Sequence, residues 1–220
     1  MPRASSTSHH ATVVDGASLF DAAEAIGNRF GRSKVTVDYT KLNERLADLR
    51  RQEGWSTATV STILLSIDPN SEGQQRFQTM LKHAGFEPDV VYFRDVFVSL
   101  PPGKSPADTS AKSTVTLASR LTYIAGLMAR HPSSAFLVVT HSFELYGPLL
   151  DLAERLDQGK VGLAYFGSLL DYRWRLAGLM DGKLGIKFFD LDPYGQELVG
   201  VELISKATDQ QQFRSGLKRF

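Results

Sequence analysis

The chain has 220 residues, 42% of them hydrophobic, and 25 Lys and Arg against 24 Asp and Glu give a formal net charge of +1. That length buries a sizeable core unaided, and with no cysteine in the chain disulfides, thiolate zinc sites and cysteine nucleophiles are excluded. Balanced charge confines any nucleic-acid surface to a local patch; with no run near the roughly 18 apolar residues of a membrane span and a polar Met1–His10 lacking a leader's apolar stretch, a cytoplasmic protein off the membrane is expected.

Residues 1–10 read as a flexible Ser-rich leader whose His9-His10 pair is too short for a metal site. Ala11–Val14 reads as a strand. Asp15 and Gly16 then turn the chain, glycine permitting a sharp exit, into a helix over Leu19–Ile26 that stops in Gly27–Gly31. An acid at that point has two jobs open to it. It can cap the helix by accepting backbone N–H bonds, or it can hold a hard cation for phosphate chemistry.

The β-branched and polar Ser33–Val37 leads to Asp38. Asp38 caps a helix over Tyr39–Arg51, with Leu42, Leu46 and Leu49 on one face. Thr62–Ile67 is a strand ending at Asp68-Pro69-Asn70, and Ser71–Ala84 a helix with Phe77, Met80 and Leu81 as its stripe and Gly85 as its stop. Asp89–Phe93 and Val96–Val98 read as strand, Pro101–Lys112 as loop, and Thr114–Ala129 as helix. Ala135–Thr140 is the apolar strand of a central sheet. Helix Pro148–Leu156, strand Lys160–Phe166, helix Leu169–Leu179 and strand Ile186–Leu191 follow. In the tail, Glu197–Ile204 reads as an edge strand and Gln210–Arg219 as a short basic helix. Strands alternating with helices predict an α/β domain with a mostly parallel central sheet covered on both faces.

The order of these elements and several phrases within Ala11–Leu191 resemble the NYN domain family, relatives of PIN-type nucleases and LabA-like proteins. Val14-Asp15-Gly16-Ala17-Ser18-Leu19-Phe20 is similar to that family's Asp-Gly-Ala-Asn-Leu opening. Val37–Leu42, Gln74–Phe77 with Ala84–Phe86, and Val138–Glu144 before Pro148–Leu150 resemble further family phrases in the same order. The resemblance implies a single three-layer Rossmann-like domain over 11–195, with 196–220 as an extension. It also implies a cluster of acids at the strand ends, holding Mg or Mn and activating water to cut RNA. Hard divalent ions favour oxygen ligands, and several acids are needed to offset phosphate charge.

The chain departs from that pattern at most of the acids. Asp15 matches the first, but Ser18 stands where the family has asparagine. Lys112-Ser113-Thr114 places Thr114 at an acid position, and the next acid falls on Ser119 or Arg120. After the central strand, Thr140-His141-Ser142-Phe143-Glu144 puts Ser142 at the main acid and leaves Glu144 as the nearby carboxylate. Hydroxyls ligate magnesium without adding charge, and Arg120 would repel a cation. Asp15 and Glu144, with Asp68 or Asp95 from adjacent strand ends, make a thin metal and catalytic set. Ser18, Lys112, Thr114, Arg120, Thr140, His141 and Ser142 would then line a binding cleft.

The expectation is therefore a domain with weakened or lost nuclease activity that binds RNA or a protein partner through the former cleft. An active Mg/Mn-dependent ribonuclease using Asp15 and Glu144, and a homo-oligomeric scaffold using only the fold, are the alternatives. His141 beside Ser142 and Glu144 invites an acid–base or nucleophilic reading. No Gly-x-Ser-x-Gly elbow supports it, and a solvated loop histidine is the plainer expectation. Tyr172-Arg173-Trp174-Arg175 alternates ring and guanidinium as base-stacking surfaces do, though Trp174 is expected in the core. Lys104, Lys112, Arg214, Lys218 and Arg219 read either as a phosphate rim or as solvated surface.

Overall fold

The computed structural model describes residues 11–32, 35–58, 60–67, 72–92, 135–156, 160–174, 176 and 185–200. Short β-branched and leucine-rich runs form the strands β1 (Ala11–Asp15), β2 (Val60–Ile67), β3 (Glu87–Tyr92), β4 (Phe136–Val139), β5 (Val161–Tyr165) and β6 (Ile186–Asp190). They build one six-stranded sheet in the order β3-β2-β1-β4-β5-β6, with every pairing parallel. β1 lies in register with Val60–Leu64 on one side and with Phe136–Val139 on the other.

Side-chain alternation sends the strands into two cores. Val14, Ile63, Leu137, Val139 and Ala164 face one, under the helices α1 (Gly16–Arg29), α2 (Tyr39–Gln52) and α3 (Glu72–His83). Val13, Leu64, Phe136, Val138 and Leu163 face the other, against α4 (Tyr146–Arg155) and Trp174. The result is a three-layer, Rossmann-like α/β domain, as the alternating pattern predicts.

Local chemistry starts the helices where expected. Asp15 and Asp38 cap α1 and α2, their Oδ1 atoms accepting the amides of Ser18 at 3.2 Å and Lys41 at 3.1 Å. Each such cap contributes about 1 kcal/mol. Gly85, at φ +84°, supplies the left-handed turn that stops α3.

Three local readings change. Gly16 does not turn the chain by positive φ; it is the first residue of α1, and a Cβ there would lie 2.4 Å from the Leu64 carbonyl oxygen. Glycine is needed for close approach of α1 to β2. Residues 35–37 run as loop, the Asp38 amide bonding the Leu198 carbonyl at 2.8 Å while Val35 and Val37 pack on the core. Met80 is 41% exposed, so the α3 face rests on Leu81 with Phe77 partly buried. Glu197–Val199 belongs to a short helix, α5 (Gly195–Val199), where an edge strand was expected. Its Leu198 and Val199 enter the first core, and Gly200 ends it at φ +67°. The readings of Val96–Val98, Pro101–Lys112, Thr114–Ala129 and Gln210–Arg219 lie outside the described residues. No helix among the described residues is long and apolar enough to cross a membrane.

Candidate functional site

Strand order reverses between β1 and β4, so connections leave the two strands toward opposite sides and open a crevice at their carboxyl ends. Asp15 closes β1, and Thr140, His141 and Ser142 leave β4, so the topology brings these residues and Ser18 together.

Their bonds form one network. Asp15 is buried, with 3% of its surface exposed; besides the Ser18 amide it accepts the Thr140 hydroxyl on Oδ2 at 3.0 Å. The Ser142 amide donates to that Thr140 hydroxyl at 3.1 Å. Burial pushes the Asp15 carboxyl above the ordinary carboxylate range, offset in part by the bonds from Ser18 and Thr140.

The Ser18 hydroxyl accepts the His141 amide at 2.8 Å and lies 3.3 Å from His141 Nδ1. On the far side of the ring, Nε2 accepts the Phe166 amide at 2.9 Å, and the ring stacks on Phe166 with an interplanar angle of 6°. An Nε2 that accepts carries a lone pair, so the proton of the neutral imidazole sits on Nδ1 and is donated to Ser18. Enclosure pushes the imidazole down to about 4 and keeps it neutral.

This geometry replaces both readings of His141. The ring bonds Ser18 rather than Ser142, and as the donor to that hydroxyl it cannot take the proton of a serine nucleophile. Nor is it a solvated loop histidine, since Nδ1 is held by Ser18 of α1 and Nε2 by the Phe166 amide at the exit of β5.

A second polar knot sits at the ends of β5 and β6. Asp190 Oδ1 accepts the amides of Gly167 at 3.0 Å and Asp192 at 2.8 Å. Asp192, also buried, accepts the Ser168 amide at 2.7 Å and its hydroxyl at 3.1 Å, while Arg29 of α1 donates to the Ser168 carbonyl. Burial and the neighbouring Asp190 raise the Asp192 carboxyl, against the bonds from Ser168 and the charge of Arg29. Sequence reading passed over this pair. Its signal was available, since Asp190 ends β6 just as Asp15 ends β1.

Beyond Ser142 the crevice rim is aromatic. Phe143 stacks on Tyr146 with centroids 5.0 Å apart, and the Arg173 guanidinium lies 4.7 Å from the Phe143 ring centre. Tyr172 is 68% exposed, whereas Trp174 is fully buried, as expected, in an edge-to-face contact with Phe143.

The predicted set thus divides. Asp15, Ser18, Thr140, His141 and Ser142 meet in the crevice. Glu144 lies in the turn Phe143–Leu145 at its mouth, with its side chain outside the described atoms. Lys112, Thr114, Ser119, Arg120, Asp68, Asp95, Lys104, Arg175, Arg214, Lys218 and Arg219 lie outside the described residues.

A magnesium-type ion requires near-octahedral oxygen ligation, in protein sites chiefly from carboxylates. Here both Asp15 oxygens, the Ser18 and Thr140 hydroxyls and both His141 ring nitrogens are already bonded within the chain. No three His, Cys, Asp or Glu side chains among the described residues converge as ligands. The described residues alone therefore do not fit a cation centre.

Fold and crevice together define the class: a Rossmann-like α/β domain with a hydrogen-bonded polar crevice at its strand switch point. Compared with models of known protein families, with curated proteins and with solved structures, the chain matches none.

Proposed function

We propose that this chain is an NYN/PIN-like domain in which nuclease activity is weakened or lost, and that it binds RNA through the crevice between β1 and β4. The observation that carries this reading is the bonding of Asp15. The acid that would anchor a cation instead caps α1 and receives the Thr140 hydroxyl, in a pocket whose burial disfavours its charge. With Ser18 and Ser142 at positions that carry asparagine and acid in the resembled family, the crevice keeps hydrogen-bonding groups but little charge for metal-assisted hydrolysis. RNA is favoured over a protein partner by the exposed Tyr172, whose ring can stack an unpaired base beside an Arg173 that is ion-paired with Asp171 and lies over Phe143.

The test is to incubate end-labelled single-stranded and structured RNAs with wild type and Asp15→Asn, in magnesium, manganese or EDTA, following both retention and cleavage. Expected are retention without metal-dependent cutting, and retention weakened about tenfold by Tyr172→Ala, the usual scale of one stacking contact. Cutting that needs metal and disappears in Asp15→Asn would establish the ribonuclease instead. Folded protein that retains no RNA would turn the reading toward a protein partner or scaffold.

A further inference from the structure

The opposite, amino-terminal edge of the sheet carries a buried charge that the crevice does not use. Arg50 of α2 is 1% exposed; its Nε donates to the Ser56 carbonyl at 3.0 Å, Nη1 to Ala11 at 3.1 Å and Nη2 to Ala135 at 3.2 Å. Those bonds use three of the roughly five N–H donors of a guanidinium. Among the described residues no carboxylate forms an ion pair with it, and the Trp55 ring lies 5.8 Å away. Burial alone pushes its pKa down to about 10, still well above neutrality, so the charge persists.

Arg50 forms part of the wall of a cavity of about 240 Å³ between α2 and the first residues of β1, β2 and β3. Thr12, Thr57 and Ser61 bring hydroxyls to the same cavity, and Glu87 brings a carboxylate from an exposed position at its rim. A cation lacking a counter-charge in a poorly polarisable interior is compensated by an anion placed nearby, and hydroxyls that rotate freely can donate to it. The cavity lies below the roughly 300–1,000 Å³ of pockets for drug-sized molecules, which restricts any occupant to a few heavy atoms.

We propose that this cavity is a binding site for a small oxyanion, a phosphate or carboxylate group seated beside Arg50 and bonded by the hydroxyls of Thr12, Thr57 and Ser61. Arg50 supplies a fixed positive potential through the cavity wall, the hydroxyls supply direction, and Glu87 at the rim holds affinity down by repulsion.

The test titrates the whole chain with inorganic phosphate, acetate and oxalate at constant ionic strength, by calorimetry and by amide chemical shifts. Arg50 also ties three backbone carbonyls, so the informative variants are Thr12→Val and Glu87→Gln. Expected is saturable binding of at least one probe, with shifts concentrated at the amides of Thr57, Ala58 and Ser61. Thr12→Val should weaken that binding about tenfold, the scale of one hydrogen bond to a charged group, and Glu87→Gln should tighten it about threefold. Preference among the probes assigns the group to phosphate or carboxylate. Absence of saturable binding by all three, shifts confined to the Asp15 crevice, or affinities unmoved by both substitutions would overturn the site.

Discussion

At the scale of single residues, burial of the His141 ring in the crevice makes it a source of acid sensitivity. Its folded pKa of about 4 lies below the ordinary value of 6.5, so the unfolded chain binds the proton more tightly. The stability contributed is complete above about pH 6.5 and is lost as pH falls toward 4, by about 3 kcal/mol at most. Asp15 acts in the other sense. Its raised pKa means that a cost present at neutral pH is relieved as pH falls through the folded value toward 3.8. Urea unfolding from pH 7 to 4 in an Asp15→Asn background should therefore lose stability more steeply than wild type, and adding His141→Asn should make the slope shallower. Ser18→Ala removes the acceptor for the His141 amide and ring, and is expected to cost about 1–3 kcal/mol at pH 7 in the same assay. The sequence marked Asp15 as cap or cation ligand. Only the through-space bond from Thr140, 125 residues away in the chain, shows how its second oxygen is used.

At the scale of elements, α1 shows how a local signal and a packing constraint coincide at one position. Gly16→Ala should destabilise by about 3 kcal/mol or more, because the added carbon meets the Leu64 carbonyl oxygen at 2.4 Å and the Leu65 side chain at 2.7 Å, and a backbone oxygen inside a sheet has little room to give. Gly147 is the contrasting case. It lies in the first turn of α4, where an added Cβ would meet nothing within 4 Å, so Gly147→Ala should stabilise by about 0.5–1 kcal/mol through helix propensity alone. Thermal unfolding of the two variants, read side by side, checks both signs. Capping acids, leucine spacing and the Gly85 stop were legible because they act within a few residues of themselves. Over its described part, Glu197–Gly200, the edge-strand reading failed because Leu198 and Val199 are claimed by the first core and Glu197 by Arg45, at 2.8 Å, none of which is near in sequence.

At the scale of the whole molecule, Arg50 ties α2 and its outgoing loop to the starts of β1 and β4. Arg50→Leu removes a side-chain donor from the carbonyls of Ser56, Ala11 and Ala135, the last of which keeps the Ala11 amide, and a loss of about 3 kcal/mol is expected in denaturant unfolding. That is a large share of the roughly 5–15 kcal/mol that holds a domain folded. From its sequence the buried face of α2 reads as Leu42, Leu46 and Leu49, and Arg50 carries no mark of burial. The sequence by itself determined the alternation of strand and helix, the parallel character of the sheet and the caps at Asp15 and Asp38, because apolar period and side-chain-to-backbone capping are written over a few neighbouring residues. The tertiary structure alone decided the strand order, the partner of His141, the Asp190–Asp192 knot and the burial of Arg50, because each depends on which distant segments the sheet sets side by side.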